Sequence, residues 1–190
     1  MPRGYSKVYL LVGYFFLFTL AANAQEVVHA LCGTIRSIDS DAKTLTVSTD
    51  DGTARLFKES TNSNLSLDFD KRIRAEATTA DAFTKSGVRV IVYYFGEGDI
   101  LTTVALQDLG TGPFEERNGT VVRFDRHERV LTLRNASGVE ETFHLTPKTV
   151  AETAYGAAEG LDLDSKDGDQ MTVTASSVNG VETALFIRTM

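Results

Sequence analysis

The chain of 190 residues contains no tryptophan, three prolines and a single cysteine. One cysteine excludes an intramolecular disulfide, so each folded unit must be held together by its apolar core. We interpret that residue, Cys32, as a small buried hydrophobe; an intermolecular disulfide is the alternative.

Long apolar runs are also missing, except at the N-terminus. Arg3 and Lys7 precede the apolar segment Val8–Leu20, and Ala22-Asn23-Ala24 follows as an A-x-A cleavage site. This pattern predicts a signal peptide over residues 1–24, because the run is shorter than the ~20 residues of a transmembrane helix. An uncleaved anchor is the alternative. We therefore expect an exported protein, periplasmic or extracellular, that is not embedded in a membrane after cleavage.

Basic residues are fewer than acidic ones. Lys and Arg total 19 against 26 Asp and Glu, which gives a formal net charge of −7. Because nucleic-acid affinity comes mainly from Lys and Arg that displace counterions, we expect no nucleic-acid partner. An oligosaccharide or a protein is the favoured kind of partner.

The chain contains one sequence pattern twice. Residues 33–57 align without a gap on residues 119–143. The identical pairs are Gly33/Gly119, Thr34/Thr120, Asp39/Asp125, Leu45/Leu131, Thr46/Thr132, Gly52/Gly138 and Phe57/Phe143. Their separation is too long for a solenoid repeat and typical of a small domain, so the pattern predicts a duplicated module.

Each copy carries the signals of short strands and tight turns. A strand, a charged turn, an alternating strand and a glycine turn lead to a third strand. A fourth and a fifth strand follow, at Val88–Phe95 and around Leu101–Leu106 in the first copy. Between the third and fourth strands the first copy has an irregular stretch, Ser60–Lys85. In the second copy, Thr146-Pro147 predicts a short helix over Val150–Tyr155.

Three strands, a helical or irregular excursion and two further strands follow the order of the OB-fold, a partly open five-stranded Greek-key barrel. The sequence therefore predicts a mainly β protein with two tandem OB-like barrels, and small β-sandwiches are the alternative. The predicted organisation is a signal peptide (1–24), module 1 (25–109), a linker (110–113) and module 2 (114–190).

A known group of proteins shares this pattern. The frame G-T-[IV]-x-x-[IF]-D-x-x-x-[KR]-x-L-T-[VL]-x-x-x-x-G-x-x-x-x-F, with G-V-R-V-I-V-Y-Y at Gly87–Tyr94, resembles exported bacterial OB-like domains of unknown function. The resemblance covers Val28 to Met190 and implies tandem barrels behind a signal peptide. Its positions are mostly turn glycines and core hydrophobes, so it implies no catalytic residues.

Metal and catalytic sites have little support in the sequence. A soft-metal site needs clustered Cys, His or Met, whereas His29, Cys32, His127 and His144 are scattered, so we predict no metal site and no cofactor. The acidic segment 162–169 lacks the glycine and glutamate spacing of an EF-hand loop. The repeated Asp39 and Asp125 are explained by turns in which Asp accepts nearby backbone N–H groups. No catalytic motif is present, and we expect no enzyme.

Three aromatic residues, Tyr93, Tyr94 and Phe95, follow one another on the predicted fourth strand of module 1. OB-folds commonly bind ligands on a barrel face, where aromatic rings stack on sugars or bases. We predict these three as ligand-binding residues; core packing and contact between the modules is the alternative. The resulting hypothesis is a non-enzymatic exported binding or interaction module. A periplasmic metal-binding or stress-response protein is the alternative.

Overall fold

The computed structural model describes residues 27–59 and 86–190. The predicted signal peptide (1–24) and the stretch Ser60–Lys85 lie outside the described residues. Regular structure in the described ranges consists of eleven strands and one 3-10 turn, Gly160–Asp162. No helix in these ranges is long and apolar enough to cross a membrane.

The first five strands form a closed barrel. They are β1 (His29–Asp39), β2 (Thr44–Ser48), β3 (Ala54–Glu59), β4 (Arg89–Phe95) and β5 (Ile100–Gly110). The order around the barrel is β1-β2-β3-β5-β4, and all neighbours are antiparallel except β3 and β5, which are parallel. Closure gives each strand two hydrogen-bonded neighbours and so removes free edges over most of its length.

The remaining strands form a six-stranded sheet with the same plan. They are β6 (Glu115–Asp125), β7 (Val130–Arg134), β8 (Glu140–Thr153), β9 (Gly156–Glu159), β10 (Gln170–Val178) and β11 (Val181–Thr189). A parallel pairing of β11 with β8 closes β6, β7, β8, β11 and β10 into the strand order of the first barrel, with β9 added beside β8. The mainly β architecture expected from the sequence is thus present, with two barrels of OB-like strand order.

Turns and irregularities recur at matching positions of the two barrels. Asp39 Oδ1 accepts the N–H groups of Asp41 (3.1 Å) and Ala42 (2.8 Å). Asp125 Oδ1 likewise accepts those of His127 (3.0 Å) and Glu128 (2.9 Å). The prediction that the repeated aspartates stabilise turns is therefore confirmed. Lys43 and Arg129, at equivalent sites in these turns, also share a positive φ of 54° and 55°.

Each barrel has its own apolar core built from the repeated positions. In the first barrel Leu45 and Phe57 pack with inward residues of β4, and in the second Leu131 and Phe143 pack with Met171 and Val173. Side chains of a strand alternate between its two faces, so one row of each strand enters the core and the other faces outward.

The predicted helix at Val150–Tyr155 is wrong, because β8 continues as a strand to Thr153. Val150 and Ala151 pair with β11 on one side and with β9 on the other, and both are buried. Ladder partners on both edges and burial outweigh a local helix preference. The Thr146-Pro147 signal instead marks an irregularity within β8, where Thr146 Oγ1 accepts the N–H of Lys148 and the pairing of β8 with β11 shifts in register.

Candidate functional site between the two barrels

The outer face of the first barrel packs against the second barrel. One hydrophobic cluster combines Ala30, Cys32, Ile91 and Tyr93 of the first barrel with Val150 and Phe186 of the second. The Tyr93 hydroxyl donates to Gln107 Oε1 (2.9 Å), and Gln107 Nε2 donates to the Lys148 carbonyl (3.3 Å). The contact between the barrels is therefore a packed apolar cluster with a hydrogen-bonded path from β4 through β5 to β8.

Glu152 of β8 connects the second barrel to the start of β1. One carboxylate oxygen accepts the backbone N–H of Ala30 (2.6 Å), and the other lies 2.6 Å from His29 Nδ1. Burial raises the pKa of Glu152, against the opposing effect of these hydrogen bonds. Burial and the nearby Glu152 charge also raise the pKa of Tyr94, whose ring centroid lies 5.8 Å from that of His29.

Beside this contact lies a cleft of about 430 Å³ lined by residues of both barrels. The first barrel contributes residues of β1, β3, β4 and β5 and of the β2–β3 and β4–β5 turns, and the second contributes residues of β6, β8, β10 and β11. The lining combines carboxylates, arginines, threonine hydroxyls and the rings of Tyr94 and Phe186. The cleft volume falls in the range of small-ligand sites, about 300–1,000 Å³.

Charged side chains of the two barrels interact with one another at one side of the cleft. The Arg89 guanidinium pairs with both oxygens of Asp50, with an Nη1–Oδ1 distance of 2.8 Å, and hydrogen bonding to Arg89 lowers the pKa of Asp50. Arg89 also lies over the Phe114 ring, 5.6 Å from its centroid. Glu116 of β6 faces Asp50; burial, then the Asp50 charge and a hydrogen bond to Asp50, raise the pKa of Glu116.

We expect the Glu116→Gln variant to be more stable than the unmodified protein at neutral pH. The pKa of Glu116 is higher in the folded state than its ordinary value of 4.5, so ionisation opposes folding and stability falls as pH rises through the raised pKa. Glutamine removes this loss, and below pH 4.5 the two proteins should converge. Urea unfolding across this pH range measures the difference.

The matched control is Glu140→Gln, which removes an exposed carboxylate that pairs with Arg134 outside the cleft (2.7 Å). This change should lower stability slightly at neutral pH, or leave it unchanged. Equal behaviour of the two variants would contradict the raised pKa of Glu116 in the folded protein.

The three aromatic residues predicted as ligand-binding are placed differently from one another. Tyr93 has no exposed surface and packs between the barrels, so it offers no face to a ligand arriving from solvent. Tyr94 is partly buried and lines the cleft, with its ring edge against Phe57. Phe95 is partly exposed at the end of β4. A binding role for Tyr94 and Phe95 stays a prediction.

Several cleft residues were not singled out from the sequence, including Asp50, Glu116, Glu152 and Thr174. A signal existed for the threonine: β10 carries Thr172 and Thr174 where β4 carries Ile91 and Tyr93. Both threonines point away from the core of their own barrel. They are nevertheless only 5% and 2% exposed, because this outer face meets the first barrel at the cleft. Polar residues on a strand with two buried faces indicate a polar internal site.

Cys32 is free and buried, and burial raises the pKa of its thiol. Its interpretation as a small buried residue is confirmed, since the side chain belongs to the cluster between the barrels. Within residues 27–59 and 86–190, no three His, Cys, Asp or Glu side chains come together in a way that could hold a metal ion.

The chain was compared with family models, with curated proteins and with solved structures. No known family model matches the chain, and no curated protein matches it. Among solved structures, the chain is similar to the crystal structure of silver(I)-bound CusF, with 15% sequence identity and a TM-score of 0.33. The matched region covers 41% of this chain and 99% of that one.

Proposed function

We propose that this chain is an exported, non-enzymatic binding module whose ligand occupies the cleft between the two barrels. The observation that carries the proposal is the cleft itself, about 430 Å³ in volume and lined by both barrels. A ligand there contacts side chains of both barrels, so its recognition depends on the pair of barrels and not on either one alone.

The chemistry of the lining favours binding over catalysis. The Asp50 carboxylate is paired with Arg89, and Glu152 already accepts hydrogen bonds on both oxygens. A general base or nucleophile needs a free, reactive group within reach of a substrate. Groups held in mutual pairs instead supply a fixed pattern of donors and acceptors, which gives specificity to a binding site.

The packed contact beside the cleft supplies rigidity. Tyr93, Val150 and Phe186 form a shared core, and Glu152 joins β8 to β1. A preorganised site loses little conformational entropy when a ligand binds, so affinity is retained even for a small ligand.

Native mass spectrometry of the mature chain recovered from a periplasm tests the proposal. We expect additional mass that survives gentle desolvation and corresponds to a bound molecule. The variant Glu116→Trp fills the cleft from an exposed strand position and should return the calculated mass of the bare chain. The control Glu115→Trp places the same bulk on the opposite face of β6, because successive side chains alternate, and should keep the added mass.

Bound mass that both variants retain would place the ligand elsewhere and contradict the proposal. Metal analysis of the same sample separates a bound metal ion, as the metal-binding alternative requires, from an organic ligand.

A further inference from the structure

The N-terminal part of β1 has a strand partner on one edge only. Residues His29–Thr34 pair with β4, whereas pairing with β2 on the opposite edge begins at Thr34. Just before this region, Ala157 of β9 donates its N–H to the Val28 carbonyl (2.8 Å). Between Val28 and Thr34, therefore, no strand among the described residues covers the second edge of β1.

The backbone groups that face this edge follow from the alternation of a strand. The Val28 carbonyl bonds to β9 and the Ala30 N–H bonds to Glu152, so even-numbered residues direct their backbone groups away from β4. By the same alternation, the Ala30 carbonyl and both the N–H and the carbonyl of Cys32 face the open edge. The Glu152 carboxylate thus binds the first N–H group of this edge, as a neighbouring strand would. The backbone groups that follow it, up to the Cys32 carbonyl, have no neighbouring strand among the described residues.

The open edge coincides with the cleft. Ala30, Leu31 and Cys32 all line it, Glu152 stands at one end, and the β2–β3 turn with Asp50 stands at the other. Ala30 and Cys32 are only 4% and 7% exposed, so a ligand reaches their backbone groups only from inside the cleft. An extended peptide that follows this edge would continue the direction of β2 beyond Ser48. Its backbone would meet acceptors and donors at the spacing of a β-ladder, about 3.3 Å per residue.

The charge of the cleft selects among peptides. The carboxylates of Asp51, Glu97 and Glu116 line it together with Asp50 and Glu152, against the guanidinium groups of Arg55 and Arg188. Hydrogen bonds, first from the Thr49 hydroxyl and then from Thr53, lower the pKa of Asp51 to about 2, so Asp51 stays ionised at neutral pH. Excess negative charge favours a partner with lysine or arginine side chains.

We propose that the open edge of β1 binds an extended, basic segment of a partner protein as an added β-strand within the cleft. This inference rests on the proposed function, since it names the ligand class of the same cleft. An oligosaccharide would use the hydroxyl and carboxylate groups of the walls, but it has no alternating N–H and C=O groups to match the strand edge.

Calorimetric titration of the mature chain with end-capped Lys-Val-Lys-Val-Lys tests the proposal. In a strand, the N–H groups of lysines and valines point to opposite edges. N-methylation of one of these two sets should weaken binding about tenfold, through loss of ladder hydrogen bonds, while methylation of the other set leaves it nearly unchanged. Capped Glu-Val-Glu-Val-Glu should bind about tenfold more weakly than the basic peptide.

A pair of charge variants locates the site. Glu97→Lys reverses a charge in the cleft, and Asp99→Lys reverses a charge of the same β4–β5 turn that does not line it. The first change should weaken the basic peptide about three- to fivefold, and the second should weaken it much less. Equal losses, or equal effects of the two N-methylation patterns, would overturn strand addition in the cleft.

The outcomes separate this inference from the proposed function. Binding of maltohexaose or chitohexaose that Glu116→Trp abolishes, without peptide binding, would overturn the peptide and leave the cleft as the binding site. Absence of binding by every probe, with a bare chain in native mass spectrometry, would contradict both.

Discussion

Replacement of Tyr93 by alanine should lower the free energy of unfolding by about 3–5 kcal/mol. The side chain is fully buried between the barrels, so its removal leaves a cavity that packed neighbours such as Val150 and Phe186 cannot fill. The same change deprives Gln107 Oε1 of its donor. Urea unfolding followed by far-UV circular dichroism measures the loss, which should appear as unfolding at a lower urea concentration.

Two further variants assign this loss to its causes. Tyr93→Phe keeps the ring and removes only the hydroxyl, so it should cost about 1–3 kcal/mol for the unpaired amide oxygen. Phe95→Ala removes a partly exposed ring two residues along β4 and should cost much less. If Tyr93→Ala lowered the free energy of unfolding no more than Phe95→Ala does, the packing of Tyr93 between the barrels would be contradicted.

Replacement of Gly33 by alanine should destabilise the first barrel by about 3 kcal/mol. A Cβ at this position would lie 2.6 Å from the Ser48 carbonyl oxygen and 2.6 Å from Val47 Cγ1, both on the neighbouring strand β2. One obstacle is backbone, which cannot rotate away, so β1 and β2 would have to separate. Thermal and urea unfolding of the variant measure the cost.

The repeated glycine of the second barrel provides an internal comparison. A Cβ on Gly119 would lie 2.9 Å from the Arg134 carbonyl oxygen and 3.0 Å from Leu133 Cβ, so Gly119→Ala should also destabilise, by a smaller amount. Gly112→Ala is the matched control, because the nearest atom, Cζ of Phe114, lies 3.8 Å away. Equal stability of Gly33→Ala and Gly112→Ala would contradict the close approach of β1 and β2.

Much of each barrel could be predicted from the sequence, since its signals are local. The glycine turns at Gly52 and Gly138 have the positive φ (83° and 82°) that such turns require. The alternation of β4 placed Val90 and Val92 in the barrel core, opposite Ile91 and Tyr93. The helix prediction at Val150–Tyr155 failed because its local signal was opposed by ladder partners on β9 and β11.

The candidate site could be predicted only in part. The aromatic run was predicted as a ligand-binding face, yet its three residues divide between a buried contact, the cleft wall and the strand end. Glu152 carried no sequence signal, because its role depends on a backbone N–H of a strand in the other barrel. The alternation of side chains along a strand does not show which outer faces of the two barrels pack together.

The sequence by itself determined the recurrence of one pattern, most of the strands and the turns between them, because a period of two and turn residues act over a few neighbouring positions. The tertiary structure decided where the barrels touch and hence where the cleft lies. Ala30 and Glu152 meet across a separation of 122 residues, and such a contact depends on how two folded surfaces fit together after each barrel has closed.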